Sequence, residues 1–170
     1  MGRRTIMIFP DFENMGTIDS IREKYDPLAK LVRPHITIVF PFENEMSNEA
    51  IEEILTKRLE NVKPFEVTLS GISMQVNRFG NSLLLDVKKG KEDICFIHDI
   101  LYRNEFKQYD SEIEYKPHIT LGQFQTANEL DIAYNELKNM DETFTTIVNK
   151  ISVEVIGKNE ESIIVIEKVL

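Results

Sequence analysis

Two short segments of this chain repeat one another: Arg33-Pro34-His35-Ile36-Thr37 and Lys116-Pro117-His118-Ile119-Thr120. Each offers an imidazole, a hydroxyl two residues later and a cation two residues earlier. In an extended strand, side chains alternate between faces. His35 and Thr37 therefore point the same way, roughly 7 Å apart, while Ile36 points the other way. Residues before proline favour extended backbone, which places Arg33 and Lys116 on the histidine faces as well. An ordinary imidazole titrates near about 6.5, so one of a facing pair can accept a proton while the other donates one. On opposite sides of phosphorus, one would activate the attacking water or hydroxyl and the other would protonate the leaving oxygen. The threonine hydroxyls can stabilise charge on the non-bridging oxygens. The catalytic candidates are His35, Thr37, His118 and Thr120. The substrate-binding candidates are Arg33, Lys116 and Phe124, the last because regular alternation puts its ring on His118's face, where a base could stack. Gly122 falls on that face too and leaves space for a ligand.

The two histidines are far apart in the chain, so only a fold that apposes two halves can bring them together. Residues 5–9 form a short β-rich run closed by Pro10, and Ile18, Ile21, Tyr25 and Leu28 recur at helical spacing. A strand over 35–40 follows, then a helix beginning near Ser47, then strand character over 65–76. After a turn containing Gly80, the order starts again. A strand spans 82–87, a helix is marked by Ile94, Ile97 and Leu101, and a strand spans 118–124. Thr126 and Glu129 form a capping box ahead of a further helix. Residues 144–156 and 162–169 read as two final strands joined by a hairpin across Gly157-Lys158-Asn159. This order predicts one α+β domain over 1–170, built as a bilobal internal duplication with pseudo-repeats of approximately 1–78 and 79–170. Two mainly antiparallel sheets would face a central cleft, with helices on their outer faces.

Bulk properties narrow the ligand. A formal net charge of -9 disfavours any broad basic surface for duplex DNA or long RNA, and suits a nucleotide or short RNA held in a small positive groove. The single cysteine, Cys95, excludes an internal disulfide and a cysteine-based zinc site. No His-x-x-x-His or Asp-rich loop suggests a metal, and no cofactor is expected. His98 lacks a counterpart in the other half and reads as structural. The apolar run at 5–9 is too short for a signal peptide or a membrane span. A soluble, cytoplasmic monomer is expected.

The two His-x-Thr motifs, His35-Ile36-Thr37 and His118-Ile119-Thr120, resemble the mark of the two-histidine (2H) phosphoesterase superfamily, which includes the 2′-5′ RNA ligase and cyclic phosphodiesterase families. The combination of Tyr25-Asp26-Pro27 with the segment running from Arg33 through Pro41-Phe42 is similar to a little-characterised bacterial branch of it. The resemblance implies a bilobal α+β fold and metal-free chemistry on 2′,3′-cyclic or 2′-5′ phosphodiester linkages. Two other functions stay open on the residues alone: a nucleotide-binding module without turnover, and joining of RNA ends by the same groups in reverse.

Overall fold

Ser47 and Thr126 each stop the chain in an extended conformation, and each side chain accepts a backbone N–H of the first turn that follows: Ser47 from Ala50, Thr126 from Glu129. Glu129 returns a bond to the Thr126 N–H, completing the expected capping box. The computed structural model describes residues 2–170. In chain order the elements are β1 (Arg4–Ile8), α1 (Met15–Tyr25), β2 (Ile36–Phe42), α2 (Asn48–Arg58), β3 (Phe65–Asn77), β4 (Gly80–Lys89), α3 (Lys91–Tyr102), β5 (His118–Phe124), α4 (Ala127–Leu137), β6 (Phe144–Val148), β7 (Lys150–Ile156) and β8 (Ser162–Val169).

The strands form one antiparallel sheet in the order β6-β3-β4-β5-β2-β1-β7-β8, where two sheets were expected. The edges of β2 and β5 are not left facing one another across a cleft; they pair with Ile36 opposite Ile119. Strands from both ends of the chain also interleave. β3 pairs with β4 and β6, while β7 lies between β1 and β8.

Residues 144–156, expected as a single strand, are two. β6 ends at Val148 and β7 begins at Lys150, six strand spacings away in the sheet order. In a flat sheet that separation would be roughly 29 Å, yet the single residue Asn149 spans only about 7 Å. The sheet must therefore curl until its two ends meet. All four helices cover one face of it. Ile18, Ile21, Ile51, Leu55, Ile94, Ile97, Leu101, Leu130 and Ala133 join Ile6, Ile8, Ile36, Ile38, Leu83, Leu85, Ile119 and Leu121 in one core cluster. The other face is open and carries the histidines.

The turn that delivers the first motif is tied around a buried guanidinium. Arg22 is only 2 % exposed. Its Nε donates to Asp26 Oδ2 at 3.0 Å, Nη1 to the Val32 carbonyl at 2.9 Å and Nη2 to the Leu28 carbonyl at 3.5 Å. Asp26 Oδ1 accepts the Leu28 N–H at 2.9 Å. A charge this deep is tolerable only with such partners, and removing one side of a buried pair typically costs about 3–5 kcal/mol. Arg22→Ala is expected to lower the unfolding free energy by about that amount in a urea titration. Lys24→Ala, which removes an exposed ion pair with Glu136, should leave the midpoint near wild type.

Candidate active site

The two motifs sit on adjacent strands at the centre of the curled sheet. His35 leads directly into β2 and His118 opens β5; both are half-buried, as are Thr37 and Thr120. Between them Ile36 and Ile119 are fully buried on the helix side, so the expected alternation holds through both His-Ile-Thr triplets.

Just past each threonine it breaks, at equivalent places. Met7 and Ile6 of β1 pair with Thr37 and Val39, which leaves Ile38 as an extra residue in β2. Leu84 and Leu83 of β4 pair with Thr120 and Gly122, which leaves Leu121 as an extra residue in β5. A bulge of this kind turns the next residues onto the opposite face. Val39 is accordingly buried with Ile38, and Gly122 with Leu121. This corrects the expectation for Gly122 and Phe124. A side chain at Gly122 would meet Tyr25 Cβ at 2.7 Å, and the Phe124 ring packs on Tyr25 of α1 at 5.5 Å. The structure brings Phe124 to α1 on the helix side and not to His118. Met7 and Leu84, cross-strand from the two threonines, are 1 % and 0 % exposed. They form an apolar floor beside the hydroxyls.

Each imidazole is held by the same hydrogen bond. His35 Nδ1 lies 2.8 Å from the Arg33 carbonyl, and His118 Nδ1 lies 2.6 Å from the Lys116 carbonyl. A carbonyl only accepts, so Nδ1 carries the proton in both rings and Nε2 is left as the free, basic nitrogen. Burial lowers both imidazoles below their ordinary value, opposed by these backbone bonds; His118 is lowered further by the charges of Lys116 and His35. A charge on His35 thus acts against a charge on His118, which links the protonation of the second ring to that of the first.

Around these rings the two halves differ. Arg33 is exposed, and its guanidinium lies over the Phe9 ring at 4.5 Å; that ring in turn stands 6.1 Å from the His35 ring. Lys116 Nζ instead lies 2.9 Å from Asp86 Oδ1 and 2.8 Å from Ser73 Oγ, while Ser73 Oγ donates to Asp86 at 2.7 Å. Asp86 is the cross-strand partner of His118. Arg33 and Lys116 thus differ in their partners, the first with its guanidinium over a ring and the second paired with a carboxylate. Phe9, Asp86 and Ser73 were invisible to sequence reasoning because only strand pairing makes them neighbours of the motifs. Tyr115 also reaches the site by tertiary contact. Its hydroxyl donates to the Thr37 carbonyl at 2.7 Å, and burial keeps the phenol well above its ordinary range. The ring stacks on His98 at 3.7 Å, in keeping with the structural reading of that histidine. Among the described residues no group of three His, Cys, Asp or Glu is placed to hold a metal ion, and no helix is long and apolar enough to cross a membrane.

Known proteins are similar to this chain, some in sequence and some in fold. A protein of Geobacillus kaustophilus, whose name assigns it provisionally to the phosphoesterases, is 28 % identical over 150 residues, covering 85 % of this chain and 83 % of its own. A similarly named protein of Bacillus mycoides is 32 % identical over 123 residues, covering 69 % of this chain and 67 % of its own. Crystal structures of Escherichia coli LigT superpose with TM-scores of 0.62 for the complex with 3′-AMP and 0.60 for the complex with ATP. Identities are 15 % and 16 %, and both span 99 % of this chain and 98 % of LigT. The likeness to LigT is one of fold. A sequence profile described as the 2′-5′ RNA ligase superfamily matches residues 10–160, and on that match the chain belongs to this superfamily of two-histidine phosphoesterases.

Proposed function

We propose that the chain is a metal-independent phosphodiesterase that opens 2′,3′-cyclic phosphates or cleaves 2′-5′ linkages in nucleotides or short RNA. The observation that carries this reading is the duplicated lock on Nδ1, which turns the basic nitrogens of two imidazoles on adjoining strands outward to a substrate. With the scissile phosphorus between them, one Nε2 takes the proton of the attacking water while the other imidazole, protonated, gives its proton to the leaving oxygen. Thr37 and Thr120 act on the non-bridging oxygens. The exposed Arg33 guanidinium supplies positive charge for the phosphate, and Lys116 does so by sharing its charge between Asp86 and the substrate. The net charge of -9 supports short substrates over long ones.

Incubation with nucleoside 2′,3′-cyclic phosphates and 2′-5′-linked dinucleotides in the presence of a chelator tests this directly. His35→Ala and His118→Ala should each lose at least about 100-fold in kcat/KM. Equal turnover in wild type and both variants would overturn the reading. Substrate bound but unchanged would identify a binding module, and 2′-5′-joined product from cyclic-phosphate ends would identify a ligase.

The lowered imidazoles also give the pH dependence a direction. Burial disfavours the charged form, so the base stays deprotonated to more acidic pH than a free imidazole. The acidic limb of kcat/KM should fall below about pH 6.5. A bound phosphate anion favours imidazolium, so both limbs of the kcat profile should lie at higher pH than those of kcat/KM. The profile is expected to be bell-shaped, with two apparent pKa values that belong to the pair. A rate rising monotonically to high pH would contradict it.

A further inference from the structure

The two half-sites balance their charges differently. In the first, the Arg33 guanidinium is exposed and rests on a neutral ring, and no carboxylate pairs with it among the described residues. Its charge is whole. In the second, the Lys116 ammonium is matched one for one by Asp86. Nζ lies 2.9 Å from Asp86 Oδ1, and Ser73 Oγ accepts from that ammonium at 2.8 Å while donating to the same carboxylate at 2.7 Å. The Asp86 side chain is 14 % exposed against 39 % for Lys116. The carboxylate is therefore the fixed member of the pair, and the ammonium, on its flexible stem, is the one that can turn toward a ligand.

A carboxylate beside a phosphate site works against binding. Asp86 pairs with His118, and directly opposed residues of antiparallel strands stand about 4.5–5.5 Å apart, so its charge adjoins an imidazole that meets the phosphate. If Asp86 served only to hold Lys116, a neutral acceptor would do so without that cost. A fixed negative charge weakens the binding of every anion in proportion to the anion's own charge, because a Coulomb energy is a product of two charges. A phosphodiester carries one negative charge. Its hydrolysis leaves a monoester whose second ionisation falls near about pH 6, so that at neutral pH the product carries nearly two. Substrate and product share base, sugar and phosphorus and differ in charge. A carboxylate at this place separates them.

We propose that Asp86 is a charge filter: by neutralising Lys116 it matches the cleft to the single charge of a diester and weakens its hold on the dianionic monoester, so that product leaves and monoesters do not block the site. The proposal rests on the phosphodiesterase reading and adds a specificity-determining residue to it, one that acts through Lys116 and through its own field.

The test compares two ligands with the same base and sugar: 2′-deoxyadenosine 3′-phosphate, a dianion at about pH 7.5, and its methyl ester, a monoanion. The measured quantity is the ratio of their Kd values by calorimetry. Asp86→Asn keeps the shape and removes the charge, and should shift the ratio about tenfold in favour of the monoester. Lys116→Met leaves the carboxylate unopposed and should shift it the other way. Thermal melts of both variants confirm folding, and Lys116→Met carries the test if Asp86→Asn does not fold. An unchanged ratio in Asp86→Asn, even with both Kd values altered, would mark a merely structural residue and overturn the filter, as would a shift toward the monoester in Lys116→Met; either leaves the phosphodiesterase reading intact. Absence of turnover of any cyclic phosphate or 2′-5′-linked dinucleotide by wild type would remove that reading, and the filter with it.

Discussion

The pairing of Ile36 with Ile119 is the joint on which the site depends. It is the one register pair between β2 and β5, and it joins the two sides of the sheet at the point where the two motifs meet. Both isoleucines are completely buried on the helix side. The hydrophobic gain of burying them, and the backbone bonds of the bridge, fix the strands at the residue between each histidine and its threonine. Side-chain alternation then leaves His35, Thr37, His118 and Thr120 no alternative to the open face. Beyond this short contact the strands need not run together, and the curl imposed by the one-residue link between β6 and β7 gives the open face its concavity.

The bulges at Ile38 and Leu121 serve the same geometry. A strand in a strongly curled sheet must bend, and an extra residue on one side of a pair supplies the bend together with added twist. Placed one residue past each threonine, it limits the polar stripe to the His-x-Thr triplet and returns the following residues to the core. Gly122 then has to be glycine for packing reasons, since any Cβ there would collide with Tyr25. The same bulge sends Phe124 toward α1.

The supports behind the two histidines are separate devices with one result. On the first side Arg22 and Asp26 fasten the turn that precedes Arg33, whose carbonyl orients His35. On the second, Asp86 and Ser73 hold the Lys116 side chain, and the Lys116 carbonyl orients His118. Tyr115 links the two, reaching from just before the second motif to the backbone of the first. A pair of reacting groups must be held in position against thermal motion, and these contacts do so with backbone and buried side-chain bonds while leaving each Nε2 free.

Local patterning was sufficient for several features of this protein. The capping box at Thr126, the spacing of apolar residues along each helix, the alternation through His-Ile-Thr and the doubling of that motif all act within a few residues, so their consequences could be read from order alone. Features that depend on which strand lies beside which could not. The merging of two expected sheets into one, the division of residues 144–156 at Asn149, the bulges that redirect Gly122 and Phe124, and the neighbours Phe9 and Asp86 all follow from non-local pairing. Backbone donors and acceptors must find partners wherever the whole chain can supply them, and that requirement is satisfied only in the assembled sheet. The sequence by itself determined which groups could do the chemistry. Tertiary structure decided that the two histidines stand on adjoining strands, and that one is flanked by an aromatic ring and the other by a carboxylate.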